Sequence, residues 1–266
     1  MRKRFFATVF FLVFLFYIPL PSMAWGMLGH RIVGEIADKY LTAKTKAEIK
    51  KILGNESIAM TSNWADFIKS DTNFRYLNSW HYINFEKGLS YGQMKDYLKN
   101  DTAVDAYTRL NFLRKELKKR NLTGDKKLMY LRLLIHIAED LSQPLHVSPV
   151  GTTGGNDIKV NWFGQTTNLH SVWDSYLIEH QQLSYTEYVA AINFPTAAQK
   201  KTWINQPVTQ WLFDSYTIAQ KLHEDITVQN PRLGYEYNFR HLSTLNEQLL
   251  KGGLRLAGLL NSIYDK

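Results

Sequence analysis

The stretch LMYLRLLIHIAEDLSQPLH, Leu128 to His146, decides how the chain is read. Leu128 to Leu141 is apolar nearly all round, the pattern of a helix at the centre of a core. Gln143-Pro144 ends it, because proline lacks an amide hydrogen and clashes with the preceding turn. His136 and Asp140 interrupt the apolar run at i and i+4, so their side chains leave one face a turn apart. A carboxylate in such a helix is costly unless a cation or hydrogen-bond donors meet it. A metal ion would satisfy Asp140; so would a salt bridge to Arg132. Glu139, beside the pair, is either an acceptor for a histidine ring or a solvated acid.

The same spacing recurs at His170 and Asp174, on a helix expected over Leu169 to His180 after the Thr-Thr-Asn cap signal. His146 follows Asp140 just past the Pro144 break, where the chain can fold back. Asp66, in NWADF, and His81, in WHYINF, are further candidates. His180, His223 and His241 have no partner at such a spacing and read as surface or core residues. The chain has no cysteine. Any metal must therefore sit on His, Asp, Glu or terminal groups, and there are no disulfides.

Outward from this centre the periodicity is helical. Ile32 to Leu41 marks an amphipathic helix beginning near His30, and Asp101 to Lys119 another. Further helices are expected at Tyr185–Asn193, Pro207–Thr227 and Leu242–Tyr264. Asp157 to Phe163 alternates like a strand and suggests a short hairpin after the loop Ser148–Asn156. The fold class is mostly α: one compact multi-helix domain with a short β-hairpin.

The first 24 residues have the parts of a secretory signal: Arg2-Lys3-Arg4, an apolar run from Phe5 to Leu20, and Ser22-Met23-Ala24 as a cleavage site. The expected domains are a signal peptide at 1–24 and one domain at 25–266, with the mature chain starting at Trp25. The formal charge of +8 includes three cations of that leader. The remainder is a mild basic bias, compatible with a polyanionic substrate. Export without cysteine fits a bacterial periplasm or exterior.

Trp25-Gly26, Leu28-Gly29-His30, WAD at 64–66, WHYIN at 80–84, HIAEDLSQPLH at 136–146, GGNDIKV at 154–160, NLHSVWD at 168–174 and the C-terminal KGGLRLAGLLN together resemble the S1/P1 nuclease family. The match runs in order across nearly the whole mature chain. The resemblance implies a phospholipase C/P1 nuclease-like fold and three zinc ions in one cleft. It implies one zinc on Asp66, His81, His136 and Asp140. A second would take Trp25, through its free amine and carbonyl, with His30 and a shared Asp140. The third would take His146, His170 and Asp174. A terminal-amine ligand exists only after cleavage behind Ala24, which gives the leader a chemical purpose.

The resemblance further implies hydrolysis of single-stranded DNA and RNA by in-line attack of a zinc-bridging hydroxide, leaving 5′-phosphate products, with 3′-nucleotides as additional substrates. Tyr82 would stack on a base and Asn156 would contact base or phosphate. Lys69 and Asn84 stand at the catalytic positions, with two departures. Asn84 replaces an Asp of the fungal enzymes and cannot ionise. Lys69 offers a point charge where an arginine would offer a fork. A monomer without stable membrane association is expected, periplasmic or extracellular. The competing readings are a zinc-dependent phospholipase C, whose members favour Glu at the place of Asp174, and a non-catalytic zinc-binding protein.

Overall fold

The computed structural model describes residues 25–265, so the expected signal peptide lies outside the described residues. The chain runs α1 (Met27–Lys39), α2 (Ala43–Leu53), α3 (Ile58–Thr61), α4 (Trp64–Ile68), a 3-10 helix (Thr72–His81), β1 (Ile83–Phe85), α5 (Tyr91–Lys99), α6 (Ala106–Leu117) and α7 (Gly124–Asp140). A short 3-10 turn (Pro144–His146) and β2 (Val147–Pro149) follow, then β3 (Lys159–Trp162) and β4 (Gln165–Asn168). Next come α8 (Leu169–Ser171), a π turn (Val172–Tyr176) and α9 (Leu177–Glu179), one continuous helical stretch. The chain closes with α10 (Tyr185–Ile192), α11 (Ala197–Asn205), α12 (Val208–Glu224), β5 (Arg232–Leu233) and α13 (Tyr235–Tyr264).

The mostly α reading holds, and α7 is the central helix. Residues Leu133 to Asp140 are buried without interruption. The carbonyls past its end, which no further turn can satisfy, are met from two neighbours. Ser215 Oγ on α12 donates to the Leu141 carbonyl at 2.6 Å, and Gln248 Nε2 on α13 donates to that of Ser142 at 2.9 Å. Arg132 does not serve Asp140. It faces outward, pairs with Glu56 at 2.6 Å and lies over the Trp64 ring.

Several boundaries differ from the sequence expectation. The helix expected from Asp101 begins at Ala106, because Asp105 accepts the Thr108 amide at 2.9 Å and caps it there. The last helix starts at Tyr235, earlier than Leu242, and the stretch 169–180 carries a π turn. The hairpin forms as β3–β4, antiparallel, with β5 added parallel to β3. Parallel pairing of β1 with β2 was not foreseen. It aligns Ile83 with Val147 and Asn84 with Ser148, which carries His81 alongside His146.

The sequence KGGLRL, Lys251 to Leu256, sets how closely α13 approaches α1. A Cβ on Gly253 would stand 2.3 Å from Ile36 Cγ2 and 3.1 Å from the Val33 carbonyl. Both obstacles are close to the α1 backbone and have little room to yield. Gly253→Ala is therefore expected to destabilise by about 1–3 kcal/mol through overpacking, despite the better helix propensity of alanine. The check is a Tm lowered by several degrees.

Asp105 generates a pH prediction. Burial, aided by its neighbour Asp101, pushes its carboxyl up to about 6, against the opposing hydrogen bonds from Thr108. A raised carboxyl favours the fold while protonated, and that contribution is lost as pH rises through 6. Asp105→Asn keeps the cap and cannot ionise. Its urea midpoint relative to wild type should rise between pH 5 and pH 7.5; a constant offset would contradict this.

Candidate metal centre and cleft

The candidate ligands arrive from separate segments and meet beneath one cleft. Four histidines use their Nδ1 hydrogens on the protein itself. His30 Nδ1 donates to Glu139 Oε2 at 2.6 Å and His136 Nδ1 to the Ser62 carbonyl at 2.6 Å. His146 Nδ1 donates to the His81 carbonyl at 2.7 Å and His170 Nδ1 to the Gly154 carbonyl at 2.6 Å. A neutral imidazole protonated on Nδ1 presents Nε2 as a bare lone pair. Nε2 of His146 and Nε2 of His170 then face each other at 3.2 Å, acceptor against acceptor. A metal ion between them reconciles the pair; a second proton on His170, which Asp174 favours, is the alternative.

Donors around a tetrahedral zinc with bonds of ~2.0–2.1 Å stand roughly 3.3 Å apart. The separations here match that scale. His170 Nε2 lies 3.1 Å from Asp174 Oδ2. His136 Nε2 lies 3.4 Å from Asp140 Oδ2 and 3.6 Å from Asp66 Oδ1. His81 turns its ring the other way and places Nδ1 3.0 Å from Asp140 Oδ2. His30 Nε2, Asp66 Oδ2 and Asp140 Oδ1 are buried without a hydrogen-bond partner. They converge: His30 Nε2 is 3.8 Å from the Asp66 atom and 3.6 Å from the Asp140 atom. Nitrogen and oxygen donors in this arrangement suit zinc.

Eight of the nine expected metal residues are thus gathered in one region, all but Trp25. Among the described residues, three groupings of donor atoms are close enough for a shared ion: His30, Asp66 and His136; His81, His136 and Asp140; His146, His170 and Asp174. The last agrees with the set implied by the resemblance. The first two divide the expected ligands differently, since His30 lies against Asp66 and His136 as well as Asp140. Trp25 is fully buried, its indole Nε1 donating to the Glu139 carbonyl at 3.1 Å and to Ser142 Oγ at 3.0 Å. Gly26 N donates to the Asp174 carbonyl at 2.8 Å. The backbone of residues 25 and 26 is thereby fixed between the end of α7 and the π turn.

Burial governs the charge states. It raises the carboxyls of Asp140 and Glu139 well above their ordinary range and lowers His30, His81, His136 and His146. Burial pulls the His170 imidazole down, but Asp174 beside it and the Gly154 carbonyl together outweigh that and raise it. Asp174 itself is raised by burial against the opposing pull of His170 and Gln143. Neutral imidazoles are the ligand form, whereas the carboxyls must give up protons when a cation enters.

Above the ligands opens a cleft of about 500 Å³, lined among others by Lys69, Tyr82, Asn84, His146, Asn156 and His170. Every substrate-contact candidate therefore faces it. Tyr82 is half exposed. Lys69 Nζ pairs with Asp66 Oδ1 at 2.6 Å, so its charge sits at the edge of the metal centre. Asn156 is held by its own Nδ2 donating to the Thr153 carbonyl at 2.9 Å. Gly154 adopts φ +60°, and a Cβ there would stand 2.6 Å from the Leu145 carbonyl. That conformation aims its carbonyl at His170, which explains the glycine in GGN.

The chain matches the S1/P1 nuclease family model over residues 25–265. Endonuclease 3 of Arabidopsis thaliana is 30% identical, with 92% of this chain and 90% of the relative covered. Nuclease S1 of Aspergillus oryzae is 29% identical over 92% and 93%. Nuclease P1 of Penicillium citrinum is 28% identical over 90% and 98%.

The chain belongs to the S1/P1 nuclease family.

It is an S1/P1-type endonuclease, and the resemblance read from its motifs is confirmed. Several residues of this nuclease centre escaped the sequence reading. Asn78 lines the cleft three residues before His81. Ser62 holds both His136 and Glu139. Gln143 donates to Asp174 through Nε2 and accepts the Leu145 amide through Oε1; its position in QPLH was the signal available. Glu139 proves to be the ring acceptor and not a solvated acid. His241 is buried against Trp173 and Tyr237, and His180 stacks on Phe163. Both are packing residues.

Stripping metal from zinc-loaded protein would expose these donors to one another without a cation. Chelation is expected to lower Tm by more than about 5 °C, since binding to a preformed site is also folding free energy. Zinc should restore it. Magnesium, which prefers oxygen ligands, should not.

Proposed function

We propose that this protein is a zinc-dependent phosphodiesterase that hydrolyses single-stranded DNA and RNA to products ending in 5′-phosphate, and that also removes 3′-phosphate from nucleotides. The observation that carries it is the facing pair of bare imidazole nitrogens, His146 and His170, at the floor of a cleft walled by Tyr82, Lys69 and Asn156. Three zinc ions are proposed. Asp66, His81, His136 and Asp140 hold one; the Trp25 amine and carbonyl, His30 and a shared Asp140 the second; His146, His170 and Asp174 the third. When bound, zinc polarises phosphate oxygens and lowers the pKa of water, supplying a nucleophile near neutral pH.

The chain's own residues do the rest. The exposed face of Tyr82 receives an unpaired base, which a stacked duplex does not offer. Lys69 sets a positive charge where phosphate oxygens approach. It opposes charge developing in the transition state without the two-point grip of a guanidinium. Asn84 and Asn156 donate and accept hydrogen bonds beside it and exchange no proton. The proposed location is outside the cytoplasm, in a periplasm or beyond the cell, after removal of residues 1–24, without stable membrane association and as a monomer. Among the described residues no helix is long and apolar enough to cross a membrane.

The test compares protein starting at Trp25 with protein carrying one extra residue before it, on single-stranded DNA and RNA. The first form should release 5′-mononucleotides, lose activity in EDTA and regain it with zinc. The extended form should be at least about tenfold slower, as expected when metal affinity is compromised. Equal activity of the two would remove Trp25 from the ligand set. Zinc uptake without cleavage by either form would end the nuclease proposal and make lecithin the next substrate to try.

A further inference from the structure

Glu139 is fully buried, one residue before Asp140 on α7, and the ligand assignment gives it no part. Its surroundings do. Oε2 accepts from His30 Nδ1 at 2.6 Å, and Oε1 accepts from Ser62 Oγ at 2.6 Å. Its backbone carbonyl accepts the indole hydrogen of Trp25 at 3.1 Å. One residue therefore grips both members of the N-terminal segment placed at the second zinc. Through Ser62 the grip extends further, because the Ser62 carbonyl accepts from His136 Nδ1 at 2.6 Å. The rings of His30 and His136 stack with centroids 4.1 Å apart, so neither turns without moving the other.

We propose that Glu139 is the positioning residue of the second zinc site: by accepting the Nδ1 hydrogen it fixes the tautomer and rotation of His30 and leaves Nε2 as the ligand atom. The orphaned state of Nε2, 3.6 Å from the equally orphaned Asp140 Oδ1, is the geometric result. An imidazole whose Nδ1 lacked an acceptor would be free to flip its ring or to carry its hydrogen on Nε2, where it would block the metal. Glu139 is a positioning residue and touches no substrate. The inference rests on the zinc reading given above.

Two measurements test it on the zinc-loaded protein. In the 15N-histidine-labelled wild type, long-range proton–nitrogen correlation should place the His30 hydrogen on Nδ1. A hydrogen on Nε2 overturns the proposal without any variant. The second measurement is zinc transfer to a chromophoric chelator. Glu139→Leu keeps the volume and removes the acceptor. It should weaken the hold on one of three zinc ions by about 10–100-fold, the usual cost of removing such a partner, while the other two, retained, report that the fold persists. Glu139→Gln, which keeps an acceptor oxygen, should stay within about threefold of wild type. The proposal fails if Glu139→Leu retains all three ions like wild type, or if Gln loses as much as Leu. Wild type that takes up no zinc would sink both this inference and the function proposed. Wild type that binds zinc and shows the Glu139 effect but cuts no nucleic acid would sink the function alone.

Discussion

Bare lone pairs buried around one point are the constraint on which the rest of the structure depends. Nε2 of four histidines and oxygens of three aspartates converge in groups whose members lie within 4.8 Å of one another, and several of them are left without a hydrogen-bond partner. Without a cation, the remedy left to the protein is to keep carboxyls such as Asp140 protonated, which burial favours. The surroundings are organised so that each ring can turn only one way. Carbonyls of Ser62, His81 and Gly154 and the side chain of Glu139 each take one Nδ1 hydrogen. Those acceptors sit on different elements, so the orientation of each ring is a property of the whole tertiary structure.

α7 is the element that makes this affordable. It lies between two hydrophobic clusters, one reaching from Leu110 and Leu113 on α6 to Tyr216 on α12, the other containing Trp25, Trp173 and Leu249. Its own apolar residues belong to the first. Its last turn delivers His136, Glu139 and Asp140 to the boundary between the clusters. A polar centre placed there is held by packing on both sides and still opens upward into the cleft. The glycine pair on α13 completes the enclosure by letting that helix press against α1 and the end of α7.

Most of this was legible in the sequence, for different reasons in different places. The central helix announced itself by apolar residues on every face, and the His/Asp pairs by i,i+4 spacing, which a helix converts directly into adjacency. The hairpin showed in the alternation of DIKVNWF. What was not legible depended on contacts between distant segments. Nothing local in His81 or His146 foretells the β1–β2 pairing, and nothing in Arg132 foretells that it selects Glu56 over Asp140. Short surface helices such as α2, α5 and α11 were missed because their capping residues, Thr42, Ser90 and Thr196, outweigh weak periodicity. The π turn at Val172–Tyr176 has no sequence signature in its apolar pattern.

The parallel pairing of β1 with β2 has a kinetic side. Val147 aligns with Ile83 across the whole stretch that forms α5, α6 and α7, a long-range pairing of the kind that slows folding. The candidate metal centre draws on residues from His30 to Asp174, so it cannot be completed by any local fragment of the chain. A partly folded chain therefore has the individual donors without the pocket that gathers them.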